Sequence, residues 1–385
     1  MGNFDFYLPE KIIFGKGRIS ETGKICSEYG KKGLLVSDPF CVKSGLAKKI
    51  LGFMTDAGLE VSLFDGVVPN PTTDSIDKCA SDVKKNGCSF VVGLGGGSAI
   101  DTAKGAAVAL SHPEPIWNYA IGKSPITGKT LPVIAITTTS GTGSHCTCFS
   151  VITNPITHQK PGMGSPFILP KVTIVDPELM LSMPRGLTAI CGFDVFSHAV
   201  EAYTSNVSSP LSDIFAEKAI SIVTEQLPKC YSNGNDIDAR EQMAVADTCA
   251  GIAICHAVVS LAHVIAHVIG GHYPQISHGD ALFTIYREVL AFNLKADSVK
   301  EKHRFIARAL SGGTSDNLCS SFDKFFAQFD FENKLISLKP DNAALTLIAE
   351  DTFTYMKGIT DLNPVQATVK DVENILQNSL KKGWK

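Results

Sequence analysis

Residues 88–101 read CSFVVGLGGGSAID, an apolar run that passes directly into consecutive glycines and then into residues suited to a helix. Short apolar runs bounded by turn residues are typical of buried strands. Glycine permits positive φ and a close approach of the backbone to a ligand. Because free N–H groups at a helix start attract anions, the stretch predicts a strand, a turn and a helix that bind phosphate. A purely structural tight turn is the alternative.

The same alternation of strands and helices extends on both sides of this stretch, in units of about a dozen residues. Such alternation is typical of βαβ units and a parallel sheet. The predicted strands are KGLLVSD (32–38), EVSLFDGV (60–67) and LPVIAIT (131–137), and the predicted helices lie at 44–59, 75–87 and 100–110. After Pro132 the chain is looser and rich in Thr, Ser, Gly and Pro, with short β-like runs at CFSVIT (148–153) and KVTIVD (171–176).

The candidate ribose-binding acid stands in an unusual place. In the common dinucleotide fingerprint, the glycine turn follows the first strand and the acid comes about 20 residues later. Here Asp38 ends the first predicted strand, long before the glycines. The residues therefore indicate a nucleotide site of unusual arrangement.

The composition is that of an ordinary globular protein. The 385 residues suffice for two domains, and 44% of them are hydrophobic and 19% charged. The net charge of -3 gives no electrostatic reason to bind nucleic acid or an anionic membrane, and no apolar segment reaches the ~18 residues that span a bilayer. The eleven cysteines form no CxxC pair, so we expect free thiols in the cytoplasm.

Helical periodicity dominates the chain after Pro184. We therefore predict an α/β domain over residues 1–184 and a helical domain over residues 185–385. The segments that fit helices are 211–227, the run from Ile237 to Ile269, 287–310 and 341–356.

A histidine-rich stretch, LAHVIAHVIGGHYPQISHGD (261–280), lies in the helical half. His263 and His267 are four residues apart in an apolar run, and Asp194 and His198 have the same spacing upstream. Such pairs share a helical face and can close around one divalent metal. A satisfied helical pair without metal is the alternative, although several desolvated imidazoles together need partners. Spacing alone leaves open which histidines would complete the shell: His263, His267, His272 or His278.

Several stretches together resemble the iron-containing (group III) alcohol dehydrogenases, in family order and over nearly the whole chain. They are GGGSAIDTAK (95–104), SGTGS (140–144), LPKVTIVDPEL (169–179), GFDVFSHAVEAYTS (192–205) and HVIAHVIGGHYPQISHG (263–279). The resemblance implies an α/β nucleotide-binding domain with a parallel sheet and an all-α metal-binding domain, the dehydroquinate synthase-like fold.

The resemblance also implies roles for single residues. His267 would lie beside the substrate and the nicotinamide, as the catalytic histidine. The metal ligands would be Asp194, His198, His263 and His278. The residues expected to line the cofactor cleft are Asp38, Asn70, Gly95, Gly96, Gly97, Ser98, Thr138, Thr139, Thr142 and Lys160.

The activity that the resemblance implies is reversible hydride transfer between a nicotinamide and a primary alcohol or aldehyde. Iron(II) is the family's usual metal, and three histidines with one aspartate also suit zinc. Asp38 would repel a 2′-phosphate, which favours NAD over NADP. We expect a homodimer with a small-molecule substrate and no nucleic-acid or membrane partner.

Three positions depart from the family pattern. His145 stands where Glu usually follows SGTGS, Gln366 stands where Arg is usual, and the segment between the two metal histidines is one residue longer. Together with His272 and Thr360, His145 suggests a short substrate with a second polar or anionic group. Packing of His145 against the SGTGS loop is the alternative.

Two rival interpretations of the chain remain. One is a zinc-dependent polyol oxidoreductase of the glycerol dehydrogenase type, or a dehydroquinate synthase-like enzyme, against which the four-ligand set speaks. The other is a metal- or nucleotide-binding protein without catalysis, which missing ligands would favour.

Overall fold

The computed structural model describes residues 3–356 and 358–381. The chain divides into two compact units, one over Tyr7–Ser182 and one from Met183 onward together with the segment that ends at Phe6. The division falls next to the predicted boundary after Pro184. The N-terminal segment differs from the prediction, because the Phe6 ring stacks on His256 of the helical unit, with 3.8 Å between centroids.

The first unit is built on the predicted parallel sheet, which is confirmed. Its six strands follow the order β1-β8-β5-β4-β2-β3, and every pair is parallel. A separate antiparallel pair, β6–β7, accompanies it. The strands are β1 (Lys11–Phe14), β2 (Lys32–Ser37), β3 (Glu60–Phe64), β4 (Phe90–Gly95), β5 (Val133–Thr137), β6 (Phe149–Val151), β7 (Gly162–Gly164) and β8 (Val172–Val175).

Helices cover the sheet on both faces. The central strands are buried throughout, as expected when parallel strands carry apolar residues on both faces. The helices are α1 (Thr22–Ser27), α2 (Pro39–Lys43), α3 (Leu46–Asp56), α4 (Thr73–Asn86), α5 (Gly97–Ser111) and α6 (Ile116–Ala120).

Strand β1 was not predicted from the sequence. Its residues, KIIF, lie at the sheet edge and are exposed or half-buried, so the run carries neither a clean alternation nor a fully apolar signal. It is recognised only through its pairing with β8, from Lys11↔Val172 to Phe14↔Val175.

The second unit is helical, as predicted. Its core contains a cluster of aromatic rings around Phe193, which meets Phe283, Tyr286 and Phe326 edge to face. The helices are α7 (Arg185–Thr204), α8 (Pro210–Ser232), α9 (Ile237–Ala257), α10 (Leu261–His272), α11 (His278–Asn293), α12 (Lys300–Ser311), α13 (Leu318–Phe326), α14 (Lys334–Leu338), α15 (Asn342–Tyr355) and α16 (Val369–Lys381).

Two predicted helical runs are broken. The run from Ile237 to Ile269 ends its first helix at Ala257, Val258 adopts φ 60°, and α10 then starts at an angle of 98°. The run at 287–310 is interrupted between α11 and α12 by a short 3₁₀ turn, Asp297–Val299. Periodicity predicted both runs as helix because the apolar spacing continues across the breaks.

No single helix within residues 3–356 and 358–381 is long and apolar enough to cross a membrane. Helices α9 and α10 pass that test only as a bent pair, by length and composition.

Candidate functional site

The glycine loop predicted from the sequence connects β4 to α5. Gly95 has φ 146°, a conformation that side-chain-bearing residues rarely adopt. Gly96 is the N-cap of α5 and has no side-chain cap. A Cβ on Gly97 would lie 2.9 Å from Thr142, so glycine is required for this close approach. The loop therefore presents a glycine-lined helix N-terminus, an arrangement suited to a phosphate group.

Two of the other predicted cofactor residues, Asp38 and Thr138, lie beside this loop at the carboxyl ends of β2 and β5. Asp38 follows β2, and its Oδ2 lies beside Gly95, where a Cβ would collide with it. Its Oδ1 accepts a hydrogen bond from Cys41 N at 2.8 Å and so caps α2. Thr138 N donates to Gly95 O at 3.1 Å. Ligands of parallel α/β sheets bind at this edge.

Asn70, Ser98 and Lys160 form a connected group next to the loop. Lys160 Nζ donates to Asn70 Oδ1 at 2.8 Å, and Asn70 N donates to Ser98 Oγ at 3.3 Å. Burial lowers the pKa of Lys160 to about 8. The structure thus brings the ten predicted cofactor residues together around the glycine loop of the α/β unit, with Thr139 next to Gly96 and Thr142 next to Gly97.

The surroundings of His145 contradict the expectation that this residue supplies a cation to the substrate. The side chain is only 1% exposed, and burial, with the nearby charge of Lys104, lowers its pKa to about 3. Lys104 itself is fully buried and donates to Ser144 O, Thr147 O and Phe149 O at 2.6–2.8 Å. The imidazole is therefore neutral and packed in the interior, which favours the packing interpretation.

The candidate metal centre lies entirely in the helical unit, on three helices. Asp194 and His198 lie on α7, His263 lies on α10, and His278 is the first residue of α11. A Cβ on Gly279 would collide with Ile190 of α7, so a glycine after His278 lets α11 begin against α7.

Three imidazoles converge on one carboxylate oxygen. Measured from Asp194 Oδ1, Nε2 of His263 lies at 3.6 Å and Nε2 of His198 and His278 at 3.8 Å each. These separations are longer than hydrogen bonds. Tetrahedral ligands about 2.0–2.2 Å from one ion are roughly 3.3–3.6 Å apart, so the spacing approaches that of a shared metal. The ligand atoms of Asp194, His263 and His278 lie within 4.8 Å of one another, whereas His198 is not part of this group and is linked to it by its distance from Asp194 Oδ1.

The chemistry of these atoms fits a cation. Asp194 Oδ1 and His263 Nε2 are fully buried and have no hydrogen-bond partner among the described residues. Leaving a buried polar atom unsatisfied costs about 1–3 kcal/mol. A divalent ion between them would satisfy both atoms, and three imidazoles with one carboxylate are ligands that iron(II) and zinc accept.

Glu201 is a residue that the sequence interpretation missed. It lies one turn beyond His198 on α7, is 4% exposed, and contacts His263 Nδ1 through its Oε2. Burial opposes ionisation of Glu201, but His263 outweighs it and lowers the carboxyl pKa. Burial likewise opposes protonation of His263, but Glu201 and Asp194 raise the imidazole pKa to about 9. The i, i+4, i+7 spacing of Asp194, His198 and Glu201 was the available signal.

His267 and His272 have different surroundings. The His267 ring meets the His278 ring edge to face, with 4.9 Å between centroids, so it adjoins the metal cluster. His272 Nε2 lies 2.7 Å from Asp351 Oδ2, which links the end of α10 to α15. His272 is therefore engaged in a helix–helix contact.

Two family models match the chain. Iron-containing alcohol dehydrogenase matches residues 9–177, and the C-terminal model of the Fe-containing alcohol dehydrogenase family matches residues 188–380.

Several characterised proteins are similar to this chain over most of its length. An NAD-dependent methanol dehydrogenase of Bacillus methanolicus is 34% identical over 98% of this chain and 100% of its own length. A 1,3-propanediol dehydrogenase of Klebsiella pneumoniae is 37% identical over 77% of each chain. The crystal structure of an archaeal halo-thermophilic alcohol dehydrogenase from a Red Sea brine pool, bound to NZQ, superposes with a TM-score of 0.93 at 38% identity, covering 99% of this chain and 100% of that one.

Proposed function

Because the chain belongs to the iron-containing alcohol dehydrogenase family, we propose that it interconverts short primary alcohols and aldehydes with NAD(H) at a divalent metal. The observation that carries the proposal is the convergence of three Nε2 atoms on a buried, unsatisfied Asp194 Oδ1. The proposed ligands are Asp194, His198, His263 and His278. The presence of these four residues on three neighbouring helices supports an enzyme over a non-catalytic metal-binding chain.

Together, the metal and the nicotinamide supply polarisation of the substrate oxygen and reversible hydride exchange with its carbon. The protein's own part is to bind and to orient. The imidazoles hold their Nε2 atoms toward Asp194, and we assign His267, next to His278, to a place beside the substrate and the nicotinamide. Burial of His263 and Asp194 keeps water from competing for the ligand atoms.

The cofactor assignment rests on the loop and on Asp38. The glycine cradle of β4–α5 suits a pyrophosphate, and Lys160 adds positive charge beside it. The half-exposed Asp38 carboxylate suits a ribose hydroxyl and repels a 2′-phosphate. The similarity to an NAD-dependent methanol dehydrogenase agrees with this choice.

For the substrate, we propose short neutral primary alcohols and aldehydes, including diols and hydroxyaldehydes. The polar features that suggested an anionic substrate do not supply a free cation. His145 is neutral and buried, His272 is paired with Asp351, and Thr360 is 4% exposed. The similarity to methanol and 1,3-propanediol dehydrogenases supports short substrates with or without a second hydroxyl.

The test is NADH oxidation with propanal, 3-hydroxypropanal and sulfoacetaldehyde after reconstitution with Fe(II) or Zn(II), compared with chelator-treated protein. We expect turnover of the first two aldehydes that depends on added metal. If none of the three aldehydes shows metal-dependent turnover, the proposed function is contradicted. A preference for sulfoacetaldehyde would restore the anionic substrate.

We further propose that the protein works as a homodimer in the cytoplasm. The eleven cysteines are all free thiols, which suits a reducing compartment. Light scattering during size-exclusion chromatography tests the dimer, with a monomer as the contrary result.

A further inference from the structure

Glu201 connects the proposed metal centre to the start of helix α10. We propose that Glu201 is a positioning residue that selects the tautomer of His263 and thereby sets the affinity of the site for its metal. The inference rests on the proposed function, because it takes His263 as a ligand. The proposed role of Glu201 requires no contact with the substrate.

The two oxygens of Glu201 have separate tasks. Oε1 accepts hydrogen bonds from Ser260 N at 3.2 Å, Ser260 Oγ at 2.9 Å and Ala262 N at 3.0 Å. Oε2 contacts His263 Nδ1. An ionised carboxylate only accepts hydrogen bonds, so every group that faces Glu201 must donate. Nδ1 of His263 therefore carries a proton.

The position of that proton decides what Nε2 can do. Metal binding displaces any proton from Nε2, so an imidazole that keeps its N–H at Nδ1 offers the Nε2 lone pair as a ligand. Nε2 is the atom that points at Asp194 Oδ1, 3.6 Å away. Metal-bound histidines in general donate their other nitrogen to a carboxylate or carbonyl, and loss of that partner weakens metal binding about 10–100-fold.

The break before α10 holds Glu201 in this position. Amide N–H groups in the first turn of a helix have no partner within the helix. Ser260 and Ala262 direct theirs to Glu201, which arrives from α7. Asn363, which is fully buried, lies against Ser260 with its Oδ1 3.3 Å from Ser260 Oγ. Glu201 is thus held through Oε1 by the start of α10, while Oε2 meets His263.

The substitution Glu201→Gln removes the carboxylate charge and changes the expected tautomer of His263, while it keeps the shape of the side chain. The amide oxygen is needed by the N–H groups of Ser260 and Ala262, so the amide NH₂ turns toward His263. Facing a donor, Nδ1 must accept, and the imidazole proton moves to Nε2, where it blocks coordination. In the opposite orientation of the amide, its NH₂ would face the backbone N–H groups of Ser260 and Ala262, so this orientation is unfavourable as well.

The experiment measures Co(II) binding to metal-free protein by competition with a chromophoric chelator, with wild type, Glu201→Gln and Ser260→Ala. We expect about 10–100-fold weaker binding in Glu201→Gln. Ser260→Ala should lose much less, because it removes only a donor to Oε1. The ligand-field spectrum of bound Co(II) should change in shape in Glu201→Gln. A loss of folded protein alone would lower its amplitude and leave its shape unaltered.

Glu217→Gln is the matched control, since Glu217 accepts from the neutral Tyr203 hydroxyl at 2.5 Å. Its metal affinity should equal that of wild type. If Glu201→Gln does not fold, Glu201→Asp shortens the reach to His263 and replaces it in the comparison. Wild-type affinity and spectrum in the Glu201 variant overturn the inference alone. A wild type that neither binds Co(II) nor shows metal-dependent turnover overturns the proposed function instead.

Discussion

Nε2 of His263 lies 3.6 Å from Oδ1 of Asp194, and neither atom has a hydrogen-bond partner among the described residues. A buried imidazole nitrogen and a buried carboxylate oxygen that lay closer together could form a hydrogen bond with each other. Here they stand apart by a separation that suits two ligands of one ion. The arrangement distinguishes His263 from His267, one turn further along α10, whose ring instead meets His278 edge to face.

His263→Ala should abolish metal retention and activity together, because it removes a ligand from a buried site. His267→Ala should retain the metal and lose turnover, because His267 only adjoins the cluster. Metal analysis of the purified variants decides between them, and a mutation of the solvent-exposed His158 serves as control. Equal metal loss in both α10 variants would mean that His267 is a ligand.

Asp38→Asn should narrow the preference for NADH over NADPH. Like charges a few ångströms apart in a half-exposed site repel by ~1–4 kcal/mol, which is roughly a factor of 5 to 1000 in the ratio of the two kcat/KM values. Asparagine is chosen because it preserves the N-cap of α2 that Asp38 Oδ1 now provides to Cys41 N. An unchanged NADH/NADPH ratio would remove Asp38 from cofactor selection.

Cofactor binding should weaken as the pH rises above about 8. Burial lowers the pKa of Lys160 to about 8, so its positive charge is present below that pH and lost above it. Losing a charge beside the cofactor phosphates costs ~1 kcal/mol or more, or about fivefold in Kd. Fluorescence titration with NADH across this range measures the effect, and Lys160→Met should bind weakly at every pH. A wild-type Kd that stays constant would refute the role of Lys160.

Local patterns predicted the fold and much of the candidate site. The apolar run into Gly95 specified a strand, turn and helix because each feature depends on neighbours in sequence. Asp194 and His198 could be paired because four residues make one helical turn. The structure adds that His263 and His278 reach the same oxygen from two other helices.

Features that depend on distant residues could not be predicted. The break at Val258 is accompanied by a contact with Glu201, 57 positions earlier, which accepts hydrogen bonds from the amide groups at the start of α10. Apolar spacing continues through the break and gives no sign of it. The burial of His145 has a similar origin, since its backbone oxygen accepts from Thr173 of β8 and Lys104 of α5 sits beside it.

His145 should make the α/β unit sensitive to acid. Its pKa is about 3 in the folded protein, lowered from 6.5 mainly by burial, so between these values the unfolded chain binds the proton more tightly. The stabilising contribution is therefore complete above about pH 6.5 and is lost as the pH falls toward 3. One proton contributes a slope of about 1.4 kcal/mol per pH unit.

His145→Gln removes this titration while keeping a polar side chain of similar size. The free energy of unfolding, from urea titrations of metal-free protein between about pH 7 and about pH 5, should fall less steeply in the variant than in wild type by about one proton's slope. Equal slopes in the two proteins would show that folding does not lower the pKa of His145, and the cationic role that its burial argues against would have to be reconsidered.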